Sequence, residues 1–235
     1  LAGLLELPEN PKAFALLAHC FTCGKDLKGA ARIARKLTEN AIAVLRFDFT
    51  GLGNSEGDFS NTNFSSNISD LLCAVDYLRR QYEAPSLLIG HSLGGSAILS
   101  IAGEVPEAKA VVTIGSPGEL THVKRLFKDD VENINQHGAY PVELAGRVFT
   151  LKKQMLDNIQ EHKIAHKVFA MNKPLLIFHA TEDDTVLIEQ AEKIFKAAKH
   201  PKSFISLGKA DHLLTHAQHA EYVADIIISW SECYL

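Results

Sequence analysis

The stretch that decides the fold is Leu87-Leu88-Ile89-Gly90-His91-Ser92-Leu93-Gly94-Gly95. Apolar residues lead into a Gly-x-Ser-x-Gly pattern, and an alanine- and leucine-bearing segment follows. This order predicts a strand, a sharp turn at Ser92 and a helix, rather than a glycine-rich turn with a bystander serine. Gly90 and Gly94 leave room for the strained turn, and the first N–H groups of the helix face any oxyanion formed there. We expect Ser92 to be a nucleophile and His91 to pack the turn.

The composition is typical of a soluble enzyme of one domain. The chain has 235 residues, of which 46% are hydrophobic and 22% are charged. A net charge of −4 without a lysine or arginine cluster argues against nucleic acid as a partner. No apolar run approaches the roughly 20 residues that a membrane helix needs, so we expect no membrane partner. Because no signal peptide is recognisable, we expect a cytoplasmic location.

Apolar runs alternate with helical patterns along most of the chain. The predicted strands are 1–7, 13–18, 42–47, 87–91, 110–114, 175–179 and 203–207. The predicted helices are 27–37, one whose N-cap is Ser66 or Asn67, one after Ser92, 187–198 and 217–230. Continuous apolar strands separated by helices predict an α/β protein with a mostly parallel sheet that is covered on both faces.

The alternation breaks between residues 116 and 172. This segment has helical patterns at 123–127, 151–159 and 164–169, and no strongly buried strand. It predicts a helical cap inserted into a core of residues 1–115 and 173–235. Its apolar residues are too numerous for a free loop, so we expect its inner face, with Phe127 and Met155, to form the pocket for small to medium acyl groups.

An acid and a histidine follow Ser92 in the chain order Ser, acid, His. Parallel-sheet enzymes place their chemistry beyond the carboxyl ends of the strands. Asp183 and Asp184 both follow the strand at 175–179, and we choose Asp183. His212 lies in the loop after the last predicted strand, whereas His216 and His219 are predicted surface residues near the final helix.

These positions predict the chemistry of a serine hydrolase. His212 takes the proton of Ser92 as general base, and Asp183 fixes the imidazole tautomer. Ser92 attacks an acyl carbonyl, and the backbone N–H groups of Leu93 and Phe21 stabilise the resulting oxyanion. The intermediate collapses to an acyl-enzyme that water hydrolyses. The predicted reaction is cleavage of carboxylic esters, and it needs no cofactor.

Cys20 and Cys23 form a C-x-x-C pattern directly beside the predicted oxyanion turn. Three interpretations are open: a redox dithiol, a soft-metal site with His19, or two small residues without chemistry. A zinc site needs further ligands, and only His19 is close in sequence. We therefore expect no metal, and we expect turnover to survive both a reductant and a chelator.

The motifs occur in the order of the α/β-hydrolase superfamily. The chain resembles that family in His19-Cys20-Phe21, in Arg46-Phe47-Asp48-Phe49-Thr50-Gly51-Leu52-Gly53-Asn54-Ser55, in Gly90 to Gly95, in His179 to Val186 and in Asp211-His212. One departure is Cys20, because most relatives carry glycine after this histidine. Asp48 and Ser55 are expected to brace the loop around the site.

A narrower resemblance rests on the segments 19–26, 61–67 and 198–203. These segments look like the bacterial branch whose hydrolase domain is fused to an OsmC-like domain. The resemblance implies serine esterase chemistry and a longer natural protein, with the OsmC-like domain as a covalent partner. Two alternatives stay open: an acyltransferase that passes the same acyl group to an alcohol or thiol, and a non-catalytic interaction module.

Overall fold

A seven-stranded sheet forms the centre of the structure, a computed structural model that describes residues 1–144 and 146–235. The strands of the chain are β1 (Gly3–Glu6), β2 (Ala13–Ala18), β3 (Ile42–Phe47), β4 (Leu87–His91), β5 (Ala110–Ile114), β6 (Ala139–Leu144), β7 (Arg147–Lys152), β8 (Leu175–His179) and β9 (Lys202–Ser206). The sheet has the order β1-β3-β2-β4-β5-β8-β9, and β6 pairs with β7 separately. Only β1 is antiparallel to its neighbour in the large sheet.

The central strands are buried on both faces, which explains their continuous apolar sequences. Leu16 of β2 lies beside Leu88 of β4, which in turn lies beside Val111 of β5. All three side chains are fully buried. The mostly parallel sheet predicted from the sequence is therefore confirmed.

Eight α-helices accompany the strands in the described part of the chain. They are α1 (Lys28–Glu39), α2 (Phe64–Gln81), α3 (Leu93–Ile101), α4 (Val131–His137), α5 (Lys153–Glu161), α6 (Ile164–Met171), α7 (Glu189–Ala197) and α8 (Ala217–Ser231). Ile33 of α1 and Val223 of α8 share one apolar cluster, whereas α2, α3 and α7 contribute to the cluster on the other face of the sheet. None of these helices is long and apolar enough to span a bilayer.

The start of α2 differs from the prediction. Asn63, rather than residue 66 or 67, is the N-cap, and its side chain accepts a hydrogen bond from the backbone N–H of Ser66. The Ser66 hydroxyl in turn accepts from the N–H of Asn63. This reciprocal capping box places the first turn of α2 beside the loop that follows β3.

The segment between β5 and β8 contains helices, as predicted, and also a hairpin that was not predicted. A 3₁₀-helix at Leu120–Phe127 and α4 precede the β6–β7 hairpin, and α5 and α6 follow it. Exposed and buried residues alternate along β6 and β7. A strand with one exposed face lacks the continuous apolar run that identifies the central strands, so the prediction of a purely helical segment missed this hairpin.

The cap segment packs closely on the rest of the molecule. Phe127 and Met155 are 2% and 4% exposed, and most apolar cap residues join the cluster formed by α2 and α3. Three apolar residues of the same segment are exposed, namely Leu126, Val148 and Phe169. The cap is thus an integral layer of the molecule.

Candidate active site

Ser92 occupies the sharp turn between β4 and α3. Its backbone has φ 54° and ψ −128°, a conformation that non-glycine residues rarely adopt. A Cβ on Gly90 would lie 2.4 Å from the Cα of Gly95, and a Cβ on Gly94 would lie 2.3 Å from the carbonyl oxygen of His19. Larger residues at these two glycines would therefore force the turn apart.

His212 is paired with Asp183. Its Nδ1 lies 2.7 Å from Oδ2 of Asp183, and the other carboxylate oxygen accepts the backbone N–H groups of Thr185 (3.0 Å) and Val186 (2.9 Å). Asp183 is buried, whereas Asp184 is exposed and accepts from the Thr185 hydroxyl. The structure thus brings the histidine together with the first of the two candidate acids.

The environment of Asp183 favours its charged form. Burial raises the pKa of the carboxyl group, but the hydrogen bond from His212 and the N–H of Val186 outweigh burial and lower the pKa below its ordinary value. A carboxylate can only accept a hydrogen bond, so Nδ1 of His212 carries the proton. With the Nδ1 proton held by Asp183, Nε2 is the nitrogen that can accept a proton.

His91 connects the nucleophile turn to the histidine loop. Its Nε2 donates to the backbone oxygen of His212 at 2.7 Å, and the two rings lie 5.0 Å apart. Burial and the nearby charge of His212 lower the pKa of His91 to about 3, so this side chain is neutral. Within the described residues, no hydrogen bond joins the Ser92 hydroxyl to His212, and the His91 hydrogen bond links the two segments instead.

The two predicted oxyanion donors line one cavity. Its apolar lining residues are Phe21, Phe49, Leu52, Phe59, Leu93 and Ala97, and His19, Cys20, Asn67 and Gly94 complete the lining. The cavity has room for about one water-sized group. Neither Phe21 N–H nor Leu93 N–H donates a hydrogen bond to another described residue. Neither amide therefore has an internal acceptor among the described residues.

Asp48 anchors the loop that carries Phe21. This buried carboxylate accepts the backbone N–H of Lys25 and of Asn54 (2.9 Å), and it pairs with Nζ of Lys25 at 3.1 Å. The hydroxyl of Ser55 donates to the Asp48 backbone oxygen. Burial raises the Asp48 pKa, but the donors on Asn54 and Lys25 outweigh burial and lower the pKa. Asp48 and Ser55 thus brace the loop, as the sequence predicted.

Cys20 and Cys23 are joined by a disulfide bond. The two cysteines are thus a covalently linked pair, which none of the three interpretations specified. While the bond is intact, neither sulfur is available as a thiolate ligand. The described residues include no cluster of three or more histidine, cysteine or acidic side chains arranged to hold a metal ion.

The sequence did not reveal the residues that hold the candidate catalytic side chains in place or complete the cavity. Nε2 of the buried His179 donates to the backbone oxygen of Val186 at 2.7 Å, and Val186 donates its N–H to Asp183. His179 therefore holds the acid turn at the end of β8. Phe59 and Asn67 were also missed, because only the folded chain brings the β3–α2 loop and α2 to the cavity.

The sheet order, the strained serine turn and the Asp183–His212 pair at the carboxyl ends of the strands define an α/β-hydrolase. Residues 9–128 match the family described as serine aminopeptidase, S33. The chain belongs to this hydrolase family.

Comparison with individual proteins agrees with this class. The crystal structure of the esterase domain from a Rhodothermus marinus protein is 44% identical, with a TM-score of 0.78 over 98% of this chain and 91% of that one. The alpha/beta hydrolase domain-containing protein 10 from mouse shares the fold with a TM-score of 0.82 at 16% identity, covering 98% of this chain and 93% of that one.

A human relative is similar in sequence over part of its length. Mitochondrial palmitoyl-protein thioesterase ABHD10 from Homo sapiens is 26% identical over 78% of this chain and 56% of that protein. The bovine ABHD10 is matched over 48% of its length. The chain thus spans about half the length of these curated relatives.

Proposed function

We propose that this protein is a serine hydrolase that cleaves carboxylic esters through Ser92, His212 and Asp183. The observation that carries the proposal is the 2.7 Å hydrogen bond between Asp183 and His212, next to a strained serine turn. Nε2 of His212 removes the Ser92 proton as the hydroxyl attacks the ester carbonyl. The N–H groups of Phe21 and Leu93 stabilise the oxyanion, and water then releases the acid.

The cavity beside Leu93 supports short acyl groups as substrates. Its apolar walls suit a hydrocarbon group, and its room for about one water-sized group suits acetyl or propionyl rather than a long chain. A palmitoyl group, on which the ABHD10 relatives act according to their name, exceeds this space. We therefore place the preference at the small end of the acyl range.

Ester cleavage is better supported than aminopeptidase activity. A free α-ammonium group on a substrate calls for a nearby carboxylate to replace its hydration. No acidic side chain is found among the described residues that line the cavity. The R. marinus neighbour, whose name describes an esterase domain, favours the same choice.

The test is hydrolysis of p-nitrophenyl acetate followed from the first turnover. We expect a burst of one p-nitrophenol per chain, and we expect Ser92→Ala to lower kcat by roughly 10⁴–10⁶-fold. Ser69→Ala, which changes an exposed helical serine, is the matched control and should leave kcat unchanged. An active Ser92→Ala enzyme would contradict the proposal.

Two further readouts separate the alternatives. Transesterified product in the presence of an acceptor alcohol would identify an acyltransferase, and hydrolysis of an aminoacyl p-nitroanilide in preference to the acetate would identify a peptidase. The covalent OsmC-like partner domain and the cytoplasmic location stay predictions. The mass of the natural protein and its cell fraction test them.

A further inference from the structure

The Cys20–Cys23 disulfide encloses the part of the backbone that carries the Phe21 amide. The two Cα atoms are 5.3 Å apart, and the intervening residues are Phe21 and Thr22. The Phe21 N–H therefore belongs to a small closed ring of covalent bonds. Any rotation of that amide has to be accommodated by the ring.

The turn inside this ring has a backbone that needs support. Thr22 has φ 64°, in the left-handed region that disfavours side chains branched at Cβ. The backbone oxygen of Cys20 accepts from Nδ1 of His19 (2.7 Å) and from the N–H of Cys23 (3.2 Å). These bonds fix the Cys20 carbonyl, whereas the disulfide is the covalent restraint across Phe21 and Thr22.

We propose that the Cys20–Cys23 disulfide is a positioning element of the oxyanion hole and a site of thiol–disulfide exchange with a dithiol reductant. The closed form aims the Phe21 N–H at the oxyanion, and the open form releases it. This inference rests on the proposed esterase function. It also reverses the expectation from the sequence that turnover survives a reductant.

The exchange reaction follows from the exposure of the two cysteines. Cys23 is partly exposed and Cys20 is only 3% exposed, so a thiolate of the reductant reaches Cys23 first. The new bond forms to the sulfur of Cys23, and Cys20 leaves as a thiolate that takes up a proton. The second thiol of the reductant then displaces Cys23. Two electrons and two protons pass to the protein, and the reductant becomes a disulfide.

The experiment measures kcat and KM for p-nitrophenyl acetate after equilibration in buffers of reduced and oxidised dithiothreitol. It uses a Cys73→Ser/Cys233→Ser background, because these two free cysteines are exposed and lie outside the site. We expect zero titratable thiols in the oxidised protein and two in the reduced one. Removal of one oxyanion donor typically lowers kcat by about 10²–10³-fold, so a misdirected donor should lower it by about 10- to 100-fold.

Three readouts distinguish positioning from general stability. KM should change less than kcat because Phe49, Leu52, Phe59, Leu93 and Ala97 of the cavity lie outside the disulfide ring. The circular dichroism spectrum should stay native, and reoxidation should restore kcat. A Cys20→Ser/Cys23→Ser variant should behave like the reduced enzyme at every redox potential.

Several results would overturn the proposal. One is a reduced enzyme that has two free thiols and an unchanged kcat. Another is an enzyme that keeps two free thiols after oxidation. The third is loss of the native circular dichroism spectrum on reduction. If the oxidised enzyme hydrolyses the ester and reduction does not change kcat, the esterase proposal holds and only the disulfide proposal is contradicted. If the oxidised enzyme shows no burst of p-nitrophenol, both the esterase proposal and the disulfide proposal are contradicted.

Discussion

The location of one proton on His212 determines whether Ser92 can be activated. Asp183 accepts Nδ1–H and leaves Nε2 as the basic nitrogen. The acid itself is fixed by the N–H groups of Thr185 and Val186. From the sequence, the choice between Asp183 and Asp184 rested on position alone. These backbone hydrogen bonds, which sequence does not reveal, favour Asp183.

Substitution of the two acids tests this arrangement. In Asp183→Asn, an amide N–H can face Nδ1 of His212 and favour the tautomer with the proton on Nε2, which cannot accept the serine proton. We expect kcat for p-nitrophenyl acetate to fall by about 10⁴-fold. The control Asp184→Asn, at an exposed position, should change kcat by no more than a few fold. The opposite ranking would assign the role to Asp184.

At the level of elements, the loop after β3 limits the size of the cavity. The ring of Phe59 packs between Phe21 of the oxyanion loop (5.7 Å between centroids) and Phe149 of β7 (4.9 Å). The sequence placed the acyl pocket on the inner face of the cap, but neither Phe127 nor Met155 lines this cavity. The cap instead contacts Phe59 through the ring of Phe149. Contacts across three separate segments decide this arrangement, and local patterns do not predict them.

Phe59→Ala should widen the cavity and shift the acyl preference. We expect the ratio of kcat/KM for hexanoate to that for acetate, both as p-nitrophenyl esters, to rise about tenfold because the added methylenes gain an apolar site. Phe169→Ala is the matched control, since that ring is 58% exposed in the cap. An unchanged ratio in Phe59→Ala would place the acyl group elsewhere.

For the whole molecule, the sequence predicted the central strands almost to the residue because they are continuous apolar runs. The last strand, β9, lies one residue earlier than predicted. The order of the strands in the sheet and the β6–β7 hairpin were not predicted. Strand order depends on packing between distant segments, and the hairpin has polar residues on its exposed face.

Three buried histidines link the stability of the whole fold to pH. Burial is the largest cause that lowers the pKa of His19, His91 and His179 below the ordinary 6.5. Below pH 6.5 the unfolded chain therefore binds protons that the folded chain does not, and stability falls as the pH falls. Asp48 and Asp183, whose pKa values are lowered, add to the loss only below about pH 3.8.

Urea unfolding at pH 7 and pH 5 measures this effect. With its pKa at about 3, His91 alone should reduce the free energy of unfolding by about 2 kcal/mol between these pH values. His91→Gln, whose amide can still donate to the His212 oxygen, should show a smaller pH dependence. The control His166→Gln changes an exposed residue and should keep the original dependence. Equal dependence in all three proteins would show that His91 ionises freely in the fold.

The most direct measurement of the central claim is covalent labelling with a small alkyl fluorophosphonate, followed by peptide mass spectrometry. The predicted result is one adduct per chain, located on Ser92, with a labelling rate that falls sharply in Asp183→Asn and labelling that is absent in Ser92→Ala. An adduct on another residue, or equal labelling of Ser92→Ala, would contradict the assignment of Ser92 as the nucleophile.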